Sequence, residues 1–333
     1  MQGGFMKKFL GLCLAFGFCA GVYAEDVKVG GFIHSRFSAG AAEKDSFAIK
    51  RARVKLTGNL DERFSFKILA ETSVTPLLLD AYLECKLNDA LKIKSGQFKI
   101  PISAEALTPA TKGDLINKYQ FIAEMFPSTC RDTGIMAEGK LAENKISYSA
   151  GVFNGSGPNA ADNDDNSFYA ARLSAATSSE IKAGFSIAGS HEGVKGDSKI
   201  ETALIATAGF ASYEKRIAQA DIEFKQDDIS LKAEYITGNY KPDDSAIKEV
   251  SAAGFGVTGS CFVIPKKLSA VARYEEYDPN NSVTDAKDVI WKTLGLNYFP
   301  VEKIKLQANY ILKKEAKNEV DNDSFIVQLQ YCF

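Results

Sequence analysis

From residue 25 onward the chain repeats one pattern: apolar residues at every second position, over segments of about ten residues, with charged or amide side chains between them. Phe64, Phe66, Ile68 and Ala70 form one such row. Ile146, Tyr148, Ala150 and Val152 form another, as do Ile181, Ala183, Phe185 and Ile187. The pattern recurs in Ile229, Leu231, Ala233 and Tyr235, in Leu268, Ala270, Ala272 and Tyr274, and in Ile304, Leu306, Ala308 and Tyr310. A period of two dictates strands, because a helix would scatter these residues around its circumference.

The connectors alternate in size. Tight ones fall at 59–62, 86–90, 142–145, 177–179, 226–228, 265–267 and 300–302. Longer ones fall at 39–45, 73–77, 101–130, 155–166, 191–215, 239–248, 278–287 and 314–322. Seven tight turns and eight longer loops join sixteen strands, with 201–226 the one stretch that reads either as a single strand with its loop or as a strand pair. An all-β chain with an even strand count, both ends on one side and turns segregated by length has the layout of a transmembrane antiparallel barrel. A soluble sandwich or propeller has no reason to sort its turns this way. Sixteen strands leave a lumen wide enough for water. The loop at 101–130 contains Leu115, Ile116, Phe121 and Met125, with helical-looking pieces at 113–120 and 121–126. An apolar loop of that length must pack on something, and the barrel interior is the surface within reach.

At the N-terminus, Lys7 and Lys8 precede an apolar run from Phe9 to Tyr23 that closes on Val22, Tyr23 and Ala24. This is the pattern of an export leader, residues 1–24, cut after Ala24 to leave a barrel domain at 25–333. The formal charge is −2, with no basic stripe of the kind that binds nucleic acid. Cys85, Cys130, Cys261 and Cys332 are too few and too widely spaced to form a disulfide framework, and their pairing stays open.

Several segments, in order, resemble the phosphate-selective porin O/P family over essentially all of residues 25–333. These are FAIKRARVKLTGNL at 47–60, LLDAYLECKL at 78–87, KIKSGQFKIPISAEALTP at 92–109, RDTGIMAEGKL at 131–141 and YSAGVFNGSGPNAADNDDNSFYAARL at 148–173. The resemblance implies a homotrimeric outer-membrane porin whose third extracellular loop folds inward and constricts each pore. It also implies rows of lumen cations that guide anions such as phosphate; the strand count, the inward loop and the basic residues at 51–55 point to a passive channel for small hydrophilic solutes.

Strand phase supplies candidates for such a row. If Ala52, Val54 and Leu56 face lipid, Arg51, Arg53 and Lys55 face the lumen. Lys67 and Lys99, Lys112 and Lys118 of the long loop, and Arg131, Arg172 and Arg273 join them. Fixed cations raise the local anion concentration and orient carboxylate or phosphate. Any barrel must also keep charge inside, because a lipid-facing Arg or Lys at mid-membrane costs roughly 2–4 kcal/mol. Glu71, Asp80, Glu84, Glu105, Asp114, Glu124, Glu234 and Glu275 share the lumen phase or the loop, which predicts a mixed field and modest selectivity.

Other sites are weaker. Asp162, Asp164 and Asp165 lack the glycine and distal glutamate of a calcium loop. His34 and His191, the only histidines, have no acid placed to orient them as a catalytic base, so no enzyme is expected. Asn154 begins a sequon-like triplet that reads as a loop start, and no cofactor or metal motif is present. The competing reading is an adhesive or structural surface barrel, against which the short extracellular loops argue. The chain closes on a strand whose alternate residues end in Tyr331 and Phe333. That strand places aromatics where they settle at the outer-membrane lipid interface and resembles the signal read by the barrel-assembly machinery.

Overall fold

The computed structural model describes residues 25–40, 43–73, 77–126, 129–162, 165–193, 212–246, 248–281, 288–315 and 320–333. The leader at 1–24, Asp164 and most of the expected loop at 191–215 lie outside them. Among the described residues no helix is long and apolar enough to cross a membrane. Sixteen antiparallel strands close into one barrel, each paired with its neighbours in sequence. They are β1 (Glu25–Gly40), β2 (Glu43–Asn59), β3 (Phe64–Glu71), β4 (Leu77–Asn88), β5 (Leu91–Lys99), β6 (Arg131–Leu141), β7 (Ile146–Phe153) and β8 (Phe168–Ala176). The second half comprises β9 (Ile181–Gly193), β10 (Ser212–Gln226), β11 (Ile229–Pro242), β12 (Val250–Ile264), β13 (Leu268–Asp278), β14 (Val289–Val301), β15 (Ile304–Glu315) and β16 (Ser324–Cys332). Of the ambiguous stretch at 201–226, the described residues 212–226 form one strand, β10. The connector expected at 39–45 is shorter than the composition suggested, because β1 runs to Gly40 and β2 starts at Glu43.

The alternation decides which side chain meets which solvent. In β16 Phe325, Leu329 and Tyr331 are exposed on the outside, while Gln328 and Gln330 are buried inside. Lipid provides no hydrogen-bond partners, so a strand survives there only if both of its edges are paired. β16 satisfies this by pairing with β15 on one side and β1 on the other. The terminal residue completes the seam: Phe333 N donates to Gly31 O and Gly31 N to Phe333 O, each at 3.0 Å. All four cysteines of residues 25–333 are free thiols.

Inside the barrel the segment 100–130 carries two short helices, α1 (Ala104–Leu107) and α2 (Gln120–Met125). Ser103 caps α1, its hydroxyl accepting from Ala106 N at 3.0 Å. The helical piece expected at 113–120 is absent as far as residue 119, and the missed helix lies earlier, at α1. The barrel wall explains the difference by taking the backbone groups a helix would need. Ile116 N donates to Asn309 Oδ1 at 2.8 Å, Asp114 O accepts from Asn297 at 2.9 Å, and Gly113 O accepts from Lys305 at 3.0 Å.

Deleting Phe333 removes both closing bonds at the seam, each worth about 0.5–1.5 kcal/mol. The heat-resistant folded fraction on unheated electrophoresis is expected to fall; an unchanged fraction would contradict this account of closure.

Candidate functional site

The inward loop is fixed to one side of the lumen. Phe121, Ile122, Met125 and Phe126 form an apolar cluster inside the barrel with Phe153, Phe168, Tyr213, Ile236, Tyr240 and Tyr277. Farther along, Ile116 packs with Ile311 and Ile326. Two glycines on the inner face of β12 make room for the aromatic part of the loop. A Cβ at Gly254 would lie 2.5 Å from Phe121, and one at Gly256 would lie 2.3 Å from the Tyr119 ring.

Polar contacts fix the orientation. Gln120 N donates to Glu275 at 2.7 Å, Glu105 N donates to Glu234 at 3.1 Å, and Tyr119 Oη bonds Thr258 at 2.9 Å. Arg273 lies 4.1 Å from the Tyr119 ring centre, pairs with Glu105 at 3.1 Å and donates to Asn117 O at 2.9 Å. Lys232 pairs with Asp114 at 2.6 Å. These wall residues all belong to β11, β12 and β13, and the backbone groups of 113–116 are bonded by β14 and β15.

Two of the predicted lumen lysines face the loop's own backbone. Lys99 Nζ donates to Ala106 O at 2.5 Å and Thr108 O at 3.2 Å. Lys118 Nζ donates to Glu105 O, to Ala106 O at 2.9 Å and to Thr108 O at 3.0 Å. Burial pulls the Lys118 ammonium below the ordinary lysine pKa, opposed by the Glu105 charge. The last carbonyls of α1 are thus covered by two cations, a favourable end for a helix dipole.

With the polar part of the loop held by β11–β15, the open cavity beside it lies against β1–β7. A cavity of about 610 Å³ separates the loop from that wall. It brings together Arg53, Lys55, Lys67, Lys99, Lys112 and Arg131 from the sequence-derived candidates. Arg53 pairs with Glu71 at 2.8 Å; Lys67 and Arg131 share Asp80 at 2.7 and 2.6 Å. Lys55 and Lys112 are exposed and take part in none of the ion pairs among the described residues. A second cavity of about 580 Å³ adjoins the first, sharing Leu107, Glu138 and Ser149, and reaches Lys86, Asp89 and Asn144 at the tight-turn end of the barrel. Arg172 lines this second cavity and holds Asp221 through two bonds of 2.7 and 2.9 Å.

Arg51 lies beside the buried His34, at 3.4 Å, and outside both cavities, as do Lys118 and Arg273. Among the cations of the first cavity, one was missed in the sequence. Lys94 sits over the rings of Tyr82 and Phe98, at 4.9 and 5.5 Å, and bonds Glu138 at 3.0 Å. The alternation of Lys92, Lys94 and Phe98 in β5 carried the signal for it.

The sequence placed no acid beside either histidine, whereas the fold brings Asp243 to His191. His34 is buried against Gln330 at 2.9 Å. His191 contacts Asp243 at 2.9 Å, and the Ser212 hydroxyl also donates to Asp243, so the carboxylate separates the serine from the imidazole.

The barrel has counterparts in fold among known proteins. The family model for phosphate-selective porin O and P matches residues 27–333. The chain belongs to that family. It is an outer-membrane porin, a water-filled channel for passive diffusion of small hydrophilic solutes. Among curated proteins none matches the chain by sequence. Solved structures similar to this porin include an anion-selective porin from Comamonas acidovorans, 11% identical, covering 92% of this chain and 99% of that one with a TM-score of 0.69. The trimer form of OmpT from Vibrio cholerae is 14% identical, with coverage of 93% and 100% and a TM-score of 0.67. The outer-membrane channel DcaP of Acinetobacter baumannii is 15% identical, with coverage of 95% and 99% and a TM-score of 0.67.

Gly256→Val forces a side chain into the Tyr119 ring and is expected to release the loop from β12. Single-channel conductance should rise and limited proteolysis should cut within 101–130. Unchanged conductance together with an uncut loop would contradict the glycine's part in docking.

Proposed function

We propose that this porin favours small anions, and that the passage between the inward loop and the β2–β6 wall is where selection occurs. The single observation that carries the proposal is the charge around the first cavity. Its lining holds Arg53, Lys55, Lys67, Lys94, Lys99, Lys112 and Arg131 against the carboxylates of Asp80 and Glu138. Counting Glu71 and Glu84, which also pair with these cations, leaves the cations in the majority. In a narrow water-filled channel with low-dielectric walls such an excess attracts anions and repels cations at the mouth.

The pairing of most of these cations limits the preference. Lys67 and Arg131 share one carboxylate, and Lys94 is close to two, so Lys55 and Lys112 supply the least compensated charge. The passage therefore acts as a biased filter for anions of several kinds, with phosphate as one of them. Arg51, Lys118 and Arg273 contribute by a different route: Lys118 and Arg273 hold the loop, and Arg51 packs beside His34. The solved structure of OmpT is a trimer form, and three copies of this porin are proposed to assemble likewise. The leader at 1–24 is proposed to be removed on export, and Tyr331 with Phe333 to be recognised by the barrel-assembly machinery.

In a planar bilayer with a potassium chloride gradient, the reversal potential is expected on the chloride side. Replacing Lys55 and Lys112 together by alanine should move it towards zero, and a potential unmoved by that double change would remove them from the pathway. Raising the salt from 0.1 to 1 M shortens the screening length from about 10 to about 3 Å, so the anion preference should weaken with salt. A salt-independent preference would mean that fixed charge is not its source.

A further inference from the structure

The first cavity carries more apolar lining than a pure anion filter needs. Its wall side carries the cations Arg53, Lys55, Lys67, Lys94 and Arg131 among the apolar Phe32, Leu69, Tyr82, Phe98 and Met136. Its loop side is built from Pro101, Leu107, Pro109 and Ala110, with Lys112 as the one cation at the end of that row. Lys99, although it also lines the space, spends its ammonium on the carbonyls of Ala106 and Thr108. The two cavities meet at Leu107, Glu138 and Ser149, which line both, and Lys94 bonds Glu138 there at 3.0 Å.

A solute in the first cavity therefore meets hydrocarbon from both loop and wall beside ammonium and guanidinium groups, and it passes Leu107 and the Lys94–Glu138 pair to reach the second cavity. A small inorganic anion uses only the charged groups, and the apolar surface strips some of its hydration without replacing it. A carboxylate or phosphate ester with an apolar body uses both, burying hydrocarbon against residues such as Leu107 and Pro109 while its charge faces Lys55 and Lys94.

We infer that the solutes this porin conducts best are organic anions with an apolar body. The inference rests on the anion preference proposed above and adds the class of anion. It requires no strong binding site, since conduction needs solutes that enter readily and leave readily.

Hexanoate and gluconate provide the test, being six-carbon monocarboxylates that differ in whether the body is hydrocarbon or hydroxylated. Bi-ionic reversal potentials of the intact porin, measured against chloride, give the permeability of each. Hexanoate is expected to exceed gluconate by about fourfold more than their diffusion coefficients in free solution account for, which is roughly the partition of one methylene out of water. Leu107→Asn, close in size but polar, is expected to reduce that excess by at least half, and Pro109→Ser to reduce it further. A hexanoate-to-gluconate ratio equal to that of free diffusion, or one that Leu107→Asn and Pro109→Ser leave unchanged, overturns the inference. The chloride-over-potassium preference of the unaltered porin, read in the same bilayers, reports separately on the underlying anion reading. If it is present while the organic-anion excess is absent, only the present inference fails.

Discussion

A strand immersed in hydrocarbon must pair both of its edges, and every other feature of this porin follows from meeting that requirement by closure. Closure places Phe333 opposite Gly31 and makes the last residue a structural one. It also fixes the facing of each side chain, since a two-residue period in a closed sheet allows only lumen or lipid. With sixteen strands the lumen is too wide for wall side chains to fill, so its interior must be water, another segment of the chain, or both. Here it is both, and the division between them defines the passage.

The segment that fills part of the lumen is held by contacts whose chemistry changes along its length. Near α2 the contact is apolar, with Phe121 and Met125 among the aromatics of the far wall. Near α1 and residues 113–116 it is polar, with wall amides and lysines taking backbone groups that would otherwise be buried without partners. Glu234 and Glu275 accept from the loop's backbone N–H groups, and Arg273 bridges the loop to β12 through Glu105 and Thr258. This consumes most of the acidic inner face of β11 and β13 in holding the loop. The less compensated basic face of β2–β6 is left to the water. The mixed charge evident in the sequence is thereby sorted in space, with many carboxylates on the docked side and a cationic excess on the open side.

The barrel was legible in the sequence because alternation and turn length report directly on which face each residue takes. The inward course of residues 101–130 was legible because Leu115, Ile116, Phe121 and Met125 could not remain in water. The place where the loop docks was not legible. Gly254 and Gly256 matter for the space they leave, and nothing in GFGVTGS states which aromatic ring enters it. Asn297, Lys305 and Asn309 look like any inner-face polar residues until their partners are seen. The same blindness made Arg273 and Lys118 look equivalent to Lys55, since sequence phase gives the direction of a side chain but not what awaits it there. Local propensity also misplaced the first helix, because tertiary hydrogen bonds from the wall outweighed it at 113–116.

The central claim is that solutes travel along β2–β6 and are excluded from the loop-covered side. Thiol modification of introduced cysteines tests it most directly, in a background with the native cysteines of residues 25–333 replaced by serine. Position 55 lines the open cavity, while Gln307 is buried under the loop, bonded to Asn297 at 2.9 Å. A charged methanethiosulfonate reagent is predicted to reduce the current through Lys55→Cys and to leave that through Gln307→Cys unchanged. Equal block at both positions, or block at position 307 alone, would contradict a one-sided passage.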